Sequence, residues 1–274
     1  MKTIQTTAGI SDLVLLGAQE LELAFVPNAI DQAKAIAELS EFDAFEHLGS
    51  HESRFFELIA RRAAGEPLSR IRGWQEFLGL RFEINPSVLD PRPETELLVT
   101  KGIDYLPPNG SLLDLGTGAG VILISVLALR HDSRGCGVDN SEEALAIASA
   151  NAKSLNVSDR CEFLLEDWRA VDSKFDLVLC NPPYVADREI GYLSKQCREY
   201  DPPGSWAGGP DGLDAYKAIY RNVPLLLAEG GWIGVEIGWR SIAEIATLIH
   251  EVGLRNIRVY DGLAGNARVM FSQL

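Results

Sequence analysis

The pattern of hydrophobic and polar positions divides the chain into two parts. From residue 10 to about residue 64, apolar side chains recur at three- and four-residue spacings, which predicts a small bundle of three or four amphipathic helices. Gly65-Glu66-Pro67 is predicted to end the bundle, because glycine can cap a helix and proline cannot prolong one. The periodic apolar positions are Leu13, Leu16, Leu21, Ile36, Leu39, Phe42, Phe55, Leu58 and Ile59.

A connector with a different pattern follows the helical part. Between Ile71 and Pro93 the residues alternate and include glycines, which predicts a β-hairpin that turns near residues 78–80. In the next segment, Asp90-Pro91-Arg92-Pro93-Glu94-Thr95-Glu96, the prolines hold an extended backbone before a helix that begins near Glu94.

From residue 111 onward, short apolar runs alternate with helical stretches. This order of strand, turn, helix and strand is typical of an α/β sheet. Periodicity predicts strands at 112–115, 135–138, 160–165, 175–180, 232–237, 257–260 and 267–271, and helices at 121–129, 213–227 and 242–252.

The net charge and the cysteine content of the chain reduce the number of functions that it could have. The 25 Lys and Arg against 39 Asp and Glu give a net charge of −14, a field that repels polyanions and disfavours nucleic acid as the main substrate. Four widely spaced cysteines with no Cys-x-x-Cys favour reduced thiols, and His47 with His51 favours a solvated helix face over a metal site. No signal peptide or membrane span is predicted, so we expect a soluble cytoplasmic protein with no metal.

A glycine-rich loop follows the strand at 112–115. Its glycines allow the backbone to approach a ligand, and the amino end of the helix after it favours an anionic group. Asp139 ends the next strand, 23 residues after Gly116, where an acidic side chain can reach ribose hydroxyls. The pattern therefore predicts a nucleoside-bearing cofactor, held by Gly116, Thr117, Gly118, Ala119, Gly120 and Asp139.

Three features favour S-adenosylmethionine over a dinucleotide. The loop reads Gly-x-Gly-x-Gly, so Gly120 comes one place too early for the dinucleotide fingerprint. Asp114 precedes the loop and would repel a pyrophosphate but attract the ammonium of a methionine moiety. After the third strand, Asp167 can accept a hydrogen bond from an adenine amino group, and Trp168 can pack on the ring. The bland alternative is a glycine turn that only packs a helix on the sheet.

Asn181-Pro182-Pro183-Tyr184 follows the apolar run at 175–180, and its prolines end that strand in a rigid loop. Asn181 then lies at the carboxyl edge of the sheet, where ligands bind in open α/β folds. Its amide, the carbonyl of Pro182 and the ring of Tyr184 form a cradle for a planar NH2 group, with Asn181 also beside the cofactor. The alternative is a proline-rich turn with an exposed tyrosine.

These motifs resemble class I S-adenosylmethionine-dependent methyltransferases that modify amino or amide nitrogens. With Gly65-Glu66-Pro67, the hairpin, the Arg-Pro-Glu-Thr-Glu segment and Gly208-Gly209-x-Asp211-Gly212, residues 63–274 resemble HemK-type release factor glutamine methyltransferases. The sequence departs from that family in its helical part, at Asp201 where Glu is usual, and at Ser205-Trp206. These departures concern how the substrate is gripped.

The resemblance implies a Rossmann-like sheet of seven strands with the last one antiparallel. It implies an organisation of a helical bundle at 1–68 for substrate recognition, a hairpin connector at 69–92 and a methyltransferase domain at 93–274. It also implies methyl transfer from S-adenosylmethionine to the side-chain N5 of the glutamine in the Gly-Gly-Gln motif of class I peptide chain release factors, which leaves S-adenosylhomocysteine. Asn181, Pro182 and Tyr184 are then catalytic, and Pro183 completes the substrate site.

Other functions stay open from the sequence. A ribosomal-protein glutamine methyltransferase or a nucleic-acid adenine N6-methyltransferase would share Asn-Pro-Pro-Tyr, although the charge of −14 argues against nucleic acid. A binding module that only holds the cofactor would give Asn-Pro-Pro-Tyr no purpose. We expect a monomer with release factors as partners and no contact with nucleic acid or membranes.

Overall fold

The computed structural model describes residues 10–40, 48–168, 171, 173–238 and 240–274. The chain forms two compact units, one that ends at Gly73 and one from Trp74 to Leu274. Over these described residues, no helix is long and apolar enough to cross a membrane.

The first unit is helical. Its helices are α1 Ile10–Leu23, α2 Ala29–Leu39, α3 Leu48–Ala63 and α4 Leu68–Arg72. Buried apolar side chains from the first three, among them Leu21, Ile36 and Phe55, form its core. Phe42 and His47 lie outside the described residues.

Two predictions for this unit were wrong. Leu16 is 51% exposed, because its neighbours in the periodic pattern occupy the buried face of α1. Gly65-Glu66-Pro67 does not close the helical region, since α4 begins directly after Pro67. Proline is compatible with the start of a helix, where its missing N–H is not needed.

The second unit opens with the predicted hairpin, which is confirmed. Strands β1 Trp74–Phe77 and β2 Leu80–Glu83 pair antiparallel. The two turn residues, Leu78 and Gly79, have φ of 50° and 73°, which is the backbone that a tight two-residue hairpin needs. The Leu78 N–H donates to Glu96 at 3.0 Å, so the hairpin is tied to the helix after the proline segment.

The remaining elements include the predicted strands and helices of an α/β sheet, together with the helices α7 and α8, for which no residues were predicted. The helices are α5 Glu96–Tyr105, α6 Val121–Leu129, α7 Glu142–Ser154, α8 Lys195–Tyr200, α9 Asp214–Leu226 and α10 Ile242–Glu251. The strands are β3 Ser111–Leu115, β4 Arg134–Asp139, β5 Cys161–Leu165, β6 Phe175–Cys180, β7 Leu227–Glu236, β8 Arg255–Asp261 and β9 Ala267–Gln273. Short 3-10 turns occupy Pro93–Thr95, Asp187–Tyr192 and Pro203–Ser205.

Strands β3 to β9 form one seven-stranded sheet in the order β5-β4-β3-β6-β7-β9-β8. Only β9 of this sheet is antiparallel to its neighbours, β7 and β8, which confirms the predicted α/β fold with its last strand reversed. The order changes direction between β3 and β6, and ligands bind at such a switch point in open α/β sheets. The fold thus brings the loop after β3 and the loop after β6 side by side.

Apolar side chains cover both faces of the sheet. One face packs against α5, α6 and α7, and α6 is buried along nearly its whole length. The other face packs against α9 and α10. These two layers hold the carboxyl ends of β3, β4 and β6 in fixed positions, where the candidate site lies.

Candidate active site

A cavity of about 530 Å³ opens at the carboxyl edge of the sheet, within the size range of small-molecule sites. The loops after β3, β4 and β6 contribute to its wall, together with the segment around residue 204. Its lining includes Ser87, Val88, Leu89, Gly116, Gly118, Asp139, Asn140, Ser141, Trp168, Asn181, Pro183, Pro202, Gly204 and Ser205.

The glycine loop is tied to the two strands beside it. Asp139 accepts hydrogen bonds from the N–H of Gly118 at 2.9 Å and of Ser141 at 3.0 Å. A carboxylate has about four acceptor positions, so Asp139 keeps lone pairs for a ligand in the cavity. Gly120 has φ of 80°, and a Cβ there would lie 2.6 Å from Ile124, so this position requires glycine.

Asp114 supports the loop from beneath. Its side chain is fully buried and accepts hydrogen bonds from the hydroxyl of Thr117 at 2.7 Å and the N–H of Leu123 at 3.3 Å. Burial raises the pKa of Asp114 to about 7, and Asp139 adds to the effect, while the two hydrogen bonds oppose it. Asp114 therefore contacts the loop, and it is not among the residues that line the 530 Å³ cavity.

The predicted cofactor residues fall into three groups. Gly116, Gly118, Asp139, Trp168 and Asn181 all line the main cavity. Thr117 and Ala119 line a smaller cavity of about 60 Å³, which Gly116, Gly118 and Asn181 also border. Two positions lie outside both linings: Gly120, which packs against α6, and Asp167, whose side chain is exposed.

The cavity fits a nucleoside-bearing cofactor by its residues. The carboxylate of Asp139 is placed for hydroxyl groups, and the half-buried indole of Trp168 provides a flat surface. The indole lies next to Gly116, since an ideal Cβ on that residue would be 3.7 Å from the ring, an ordinary contact distance. Glycine at this position is required by its φ of 70° and not by the space beside the ring.

Asn181 and Tyr184 are held by hydrogen bonds at the end of β6. The amide nitrogen of Asn181 donates to the hydroxyl oxygen of Thr95 at 3.2 Å. The phenol of Tyr184 donates to Oε1 of Glu236 at 3.1 Å and accepts from Arg268 at 3.3 Å. Burial and the nearby Glu236 carboxylate raise the pKa of Tyr184, so its phenol stays protonated near neutral pH.

Thr95 and Glu236 were missed as site residues by the sequence reasoning. The Thr95 hydroxyl donates to Oε2 of Glu236 at 2.7 Å, across 141 positions of the chain. Thr95 belongs to the Arg-Pro-Glu-Thr-Glu segment, and that signal could have placed it near the site. Glu236 is a single carboxylate at the end of an apolar strand, and no motif marked it.

The segment Gly208-Gly209-x-Asp211-Gly212 braces the loop of Asn181 and Tyr184 from the backbone side. The N–H of Gly208 donates to the carbonyl of Val185 at 2.8 Å, and Asp187 donates to the carbonyl of Gly209 at 3.0 Å. A Cβ at Gly212 would lie 2.5 Å from the carbonyl oxygen of Tyr184. The two segments are therefore packed backbone to backbone.

The atypical residues after α8 also lie at this edge. Asp201 is buried, pairs with Arg92 and accepts from the N–H of Asp90 at 3.2 Å. Aspartate at this position thus still reaches the arginine of the proline segment. Ser205 lines the main cavity, and the carbonyl of Trp206 accepts from the N–H of Val185 at 2.8 Å.

Comparison with known sequences finds relatives that are methyltransferases. A family model described as "Methyltransferase small domain" matches residues 93–196. The release factor glutamine methyltransferase of Cereibacter sphaeroides is 40% identical over 223 residues, which cover 81% of this chain and 80% of that protein. The release factor glutamine methyltransferase of Agrobacterium fabrum is 30% identical over 279 residues, and the match covers 96% of each chain.

Comparison with solved structures finds the same fold. The catalytic domain of hMettl16, solved with the MAT2A 3'UTR hairpin 1, has a TM-score of 0.59 at 18% identity and matches 79% of this chain and 80% of that one. A methyltransferase from Pyrococcus furiosus has a TM-score of 0.53 at 16% identity, over 72% of this chain and 90% of that one. At these identities the likeness concerns the fold alone.

Proposed function

The chain belongs to the release factor glutamine methyltransferase family and is an S-adenosylmethionine-dependent methyltransferase, and we propose that it methylates the side-chain N5 of the glutamine in the Gly-Gly-Gln motif of class I release factors. The observation that supports this most directly is the position of Asn181, which lines the main cavity and is the first residue of the Asn-Pro-Pro-Tyr loop. An amide acceptor beside the donor cavity suits an NH2 substrate.

The residues that we propose for the cofactor are Gly116, Thr117, Gly118, Ala119, Gly120, Asp139, Asp167, Trp168 and Asn181. S-adenosylmethionine supplies an electrophilic methyl group when it is bound. In this arrangement Asp139 accepts from ribose hydroxyls, Trp168 packs on the adenine ring, and Asp167 accepts from its amino group.

Orientation carries the proposed mechanism. A glutamine nitrogen is a weak nucleophile because its lone pair is delocalised into the carbonyl. In our proposal the side-chain oxygen of Asn181 and the backbone carbonyl of Pro182 accept its two N–H bonds, while Pro183 and the ring of Tyr184 flank the amide. Such positioning can contribute about 7–11 kcal/mol to the lowering of the barrier.

The proposed reaction does not require a side-chain base. The nitrogen gains a methyl group and loses one proton, which passes to water, and the products are N5-methylglutamine and S-adenosylhomocysteine. Tyr184 stays protonated because burial raises its pKa, so it serves as a packing surface and not as a base. We further propose that the enzyme is a cytoplasmic monomer and needs no metal.

Mass spectrometry of a release factor tests the function. The protein is incubated with a purified class I release factor and S-adenosylmethionine, and the tryptic peptide with Gly-Gly-Gln is expected to gain one methyl group on the glutamine. A release factor with Asn in place of that glutamine is the substrate control. Equal methylation of that control would contradict the proposal, as would faster transfer to ribosomal protein or to DNA.

Asn181→Ala tests the site. Methyl transfer is expected to fall roughly a hundredfold or more, since misplacement by about 1 Å has that effect. Cofactor affinity by calorimetry should change little, because the amide of Asn181 is proposed to face the substrate nitrogen while the other proposed residues hold the cofactor. Asn222→Ala is the matched control, because Asn222 lies on α9 and its side-chain NH2 donates to the carbonyl of Ala218 in the same helix. An unchanged rate for Asn181→Ala would show that the loop is structural.

A further inference from the structure

Glu236 is a buried carboxylate on which two sets of hydrogen bonds converge. It lies at the end of β7 and is 2% exposed. One of its oxygens accepts from Thr95 at 2.7 Å, and Thr95 in turn accepts from Asn181 at 3.2 Å. The other oxygen accepts from Tyr184 at 3.1 Å. Each oxygen of Glu236 therefore holds one of the two side chains that flank the proposed substrate amide.

The direction of these bonds determines which way the Asn181 amide faces. A threonine hydroxyl has one hydrogen, and an ionised carboxylate can only accept. Thr95 gives its hydrogen to Glu236 and so offers only a lone pair to Asn181. Asn181 must then turn its NH2 toward Thr95, and its oxygen points the other way.

We propose that Glu236 and Thr95 are positioning residues for methyl transfer, which keep the Asn181 oxygen facing the substrate glutamine and hold the Tyr184 ring beside it. This inference rests on the proposed function of the same site. A reversed Asn181 amide would present NH2 to the substrate NH2, two donors that cannot bond each other.

Neighbouring side chains fix the backbone of Glu236 and affect the pKa of its carboxyl group. The hydroxyl of Tyr216 donates to its backbone carbonyl at 2.8 Å, which fixes the end of β7. Burial raises the pKa of Glu236, whereas Thr95, the charge of Arg268 and Tyr184 oppose that rise and Glu94 adds to it. The guanidinium of Arg268 donates to the phenol oxygen of Tyr184 at 3.3 Å, and Tyr184 in turn donates to Glu236.

Substitutions at Thr95 test the inference. Thr95→Val keeps the shape but removes the hydroxyl, and we expect kcat for methyl transfer to fall about ten- to a hundredfold with cofactor affinity nearly unchanged. Thr95→Ser restores the hydroxyl and should recover most of kcat. Thr100→Val, in the helix α5 that follows Thr95, is the matched control, because the exposed Thr100 hydroxyl donates to the backbone carbonyls of Glu96 and Leu97 within α5. Equal kcat for Thr95→Val and Thr95→Ser would overturn the proposal.

Glu236→Gln separates positioning from stability. A glutamine cannot accept from both Thr95 and Tyr184 through its two terminal atoms, since one of them is an NH2 group. Removing a buried charge avoids its desolvation, so we expect a melting temperature at or above that of the wild type together with a kcat at least about tenfold lower. Wild-type kcat in this folded variant would refute the role of Glu236.

A measurement on the unsubstituted protein does not depend on activity, and Asn181→Asp serves only to assign the signal. The Asn181 side-chain NH2 signal, assigned in an amide NMR spectrum by its loss in Asn181→Asp, should exchange with water more slowly than that of an exposed asparagine. Exchange as fast as in an unstructured peptide would contradict the inferred orientation. A wild-type enzyme that leaves release factors unmodified would instead refute the proposed function, and the amide signal still reports on the orientation.

Discussion

Gly212→Ala is expected to disturb the proposed catalytic loop through its backbone. Gly212 has φ of 78°, and a Cβ there would lie 2.5 Å from the carbonyl oxygen of Tyr184. Real Cβ contacts stay above about 3.0 Å, so the two backbones must separate by at least about 0.5 Å. The prolines at 182 and 183 have fixed φ angles, so a shift of Tyr184 is carried to Asn181.

The expected loss follows from this displacement. Because misplacement by about 1 Å can cost roughly a hundredfold in rate, half of that distance or more should lower kcat about ten- to a hundredfold. The positive φ adds a conformational cost of about 1–2 kcal/mol to folding for any residue with a Cβ. Cofactor affinity should stay close to that of the wild type, since Gly212 does not line the cavity.

Gly253→Ala separates the two effects. Gly253 has φ of 81° and nothing within 4 Å of its ideal Cβ position, so it carries the same backbone strain without the close contact. The assay is steady-state methyl transfer to a release factor at saturating concentrations of both substrates, with unfolding in denaturant as the measure of stability. Equal kcat for the two variants would refute the idea that Gly212 braces Tyr184.

Three further outcomes are expected. Asp139→Ala should weaken S-adenosylmethionine binding by about 1.5–3 kcal/mol in calorimetry, because a charge-assisted bond to the ribose is lost; unchanged affinity would contradict the ribose assignment. With a net charge of −14, the protein should bind duplex DNA weakly at physiological salt, and a fluorescence titration that showed tight binding would be the contrary result. The raised pKa of Asp114, about 7 against 3.8, means that protonation stabilises the fold and that this contribution is lost as the pH rises through 7. Relative to Asp114→Asn, the wild-type free energy of unfolding should fall by about 2 kcal/mol between pH 5.5 and 8, and parallel pH curves would refute this.

Much of the second unit could be predicted because several of its strands and helices are continuous apolar runs bounded by glycine or proline. Helix α6 occurs at the predicted residues 121–129, and strand β6 at 175–180. Strand β7 was predicted at 232–237 but begins at Leu227, so that it includes Gly230 and Gly231. They lie at an irregularity in the pairing of β6 with β7, which glycine allows inside a strand.

The short elements after Asn-Pro-Pro-Tyr could not be predicted. Helix α8 and the 3-10 turns at Asp187–Tyr192 and Pro203–Ser205 each span only three to six residues, too few for a hydrophobic period to show. Their positions depend on contacts with distant segments, such as the pairing of Asp201 with Arg92.

The polar core of the candidate site was hidden for a related reason. Glu236 is the last residue of the apolar strand β7, and a carboxylate at a strand end is usually exposed to water. Its burial results from Thr95, which lies 141 residues earlier, and from Tyr184, which lies 52 residues earlier. Periodicity reports on neighbours along the chain, so a hydrogen-bond network assembled from three distant segments leaves no local pattern.

The Asn181–Tyr184 loop is supported on two sides, and the supports should not contribute independently. Gly212 acts on the backbone of Tyr184, whereas Thr95 acts on the side chain of Asn181. Both are proposed to set the same quantity, the position of the Asn181 oxygen relative to the methyl donor. Once one support is lost and the Asn181 oxygen is misplaced, loss of the second support causes a smaller further decrease in rate. The Gly212→Ala/Thr95→Val double variant should therefore lose less activity than the product of the two single losses, with an interaction energy of about 0.5–3 kcal/mol. Strictly multiplicative losses in kcat would show that the two supports act on separate steps.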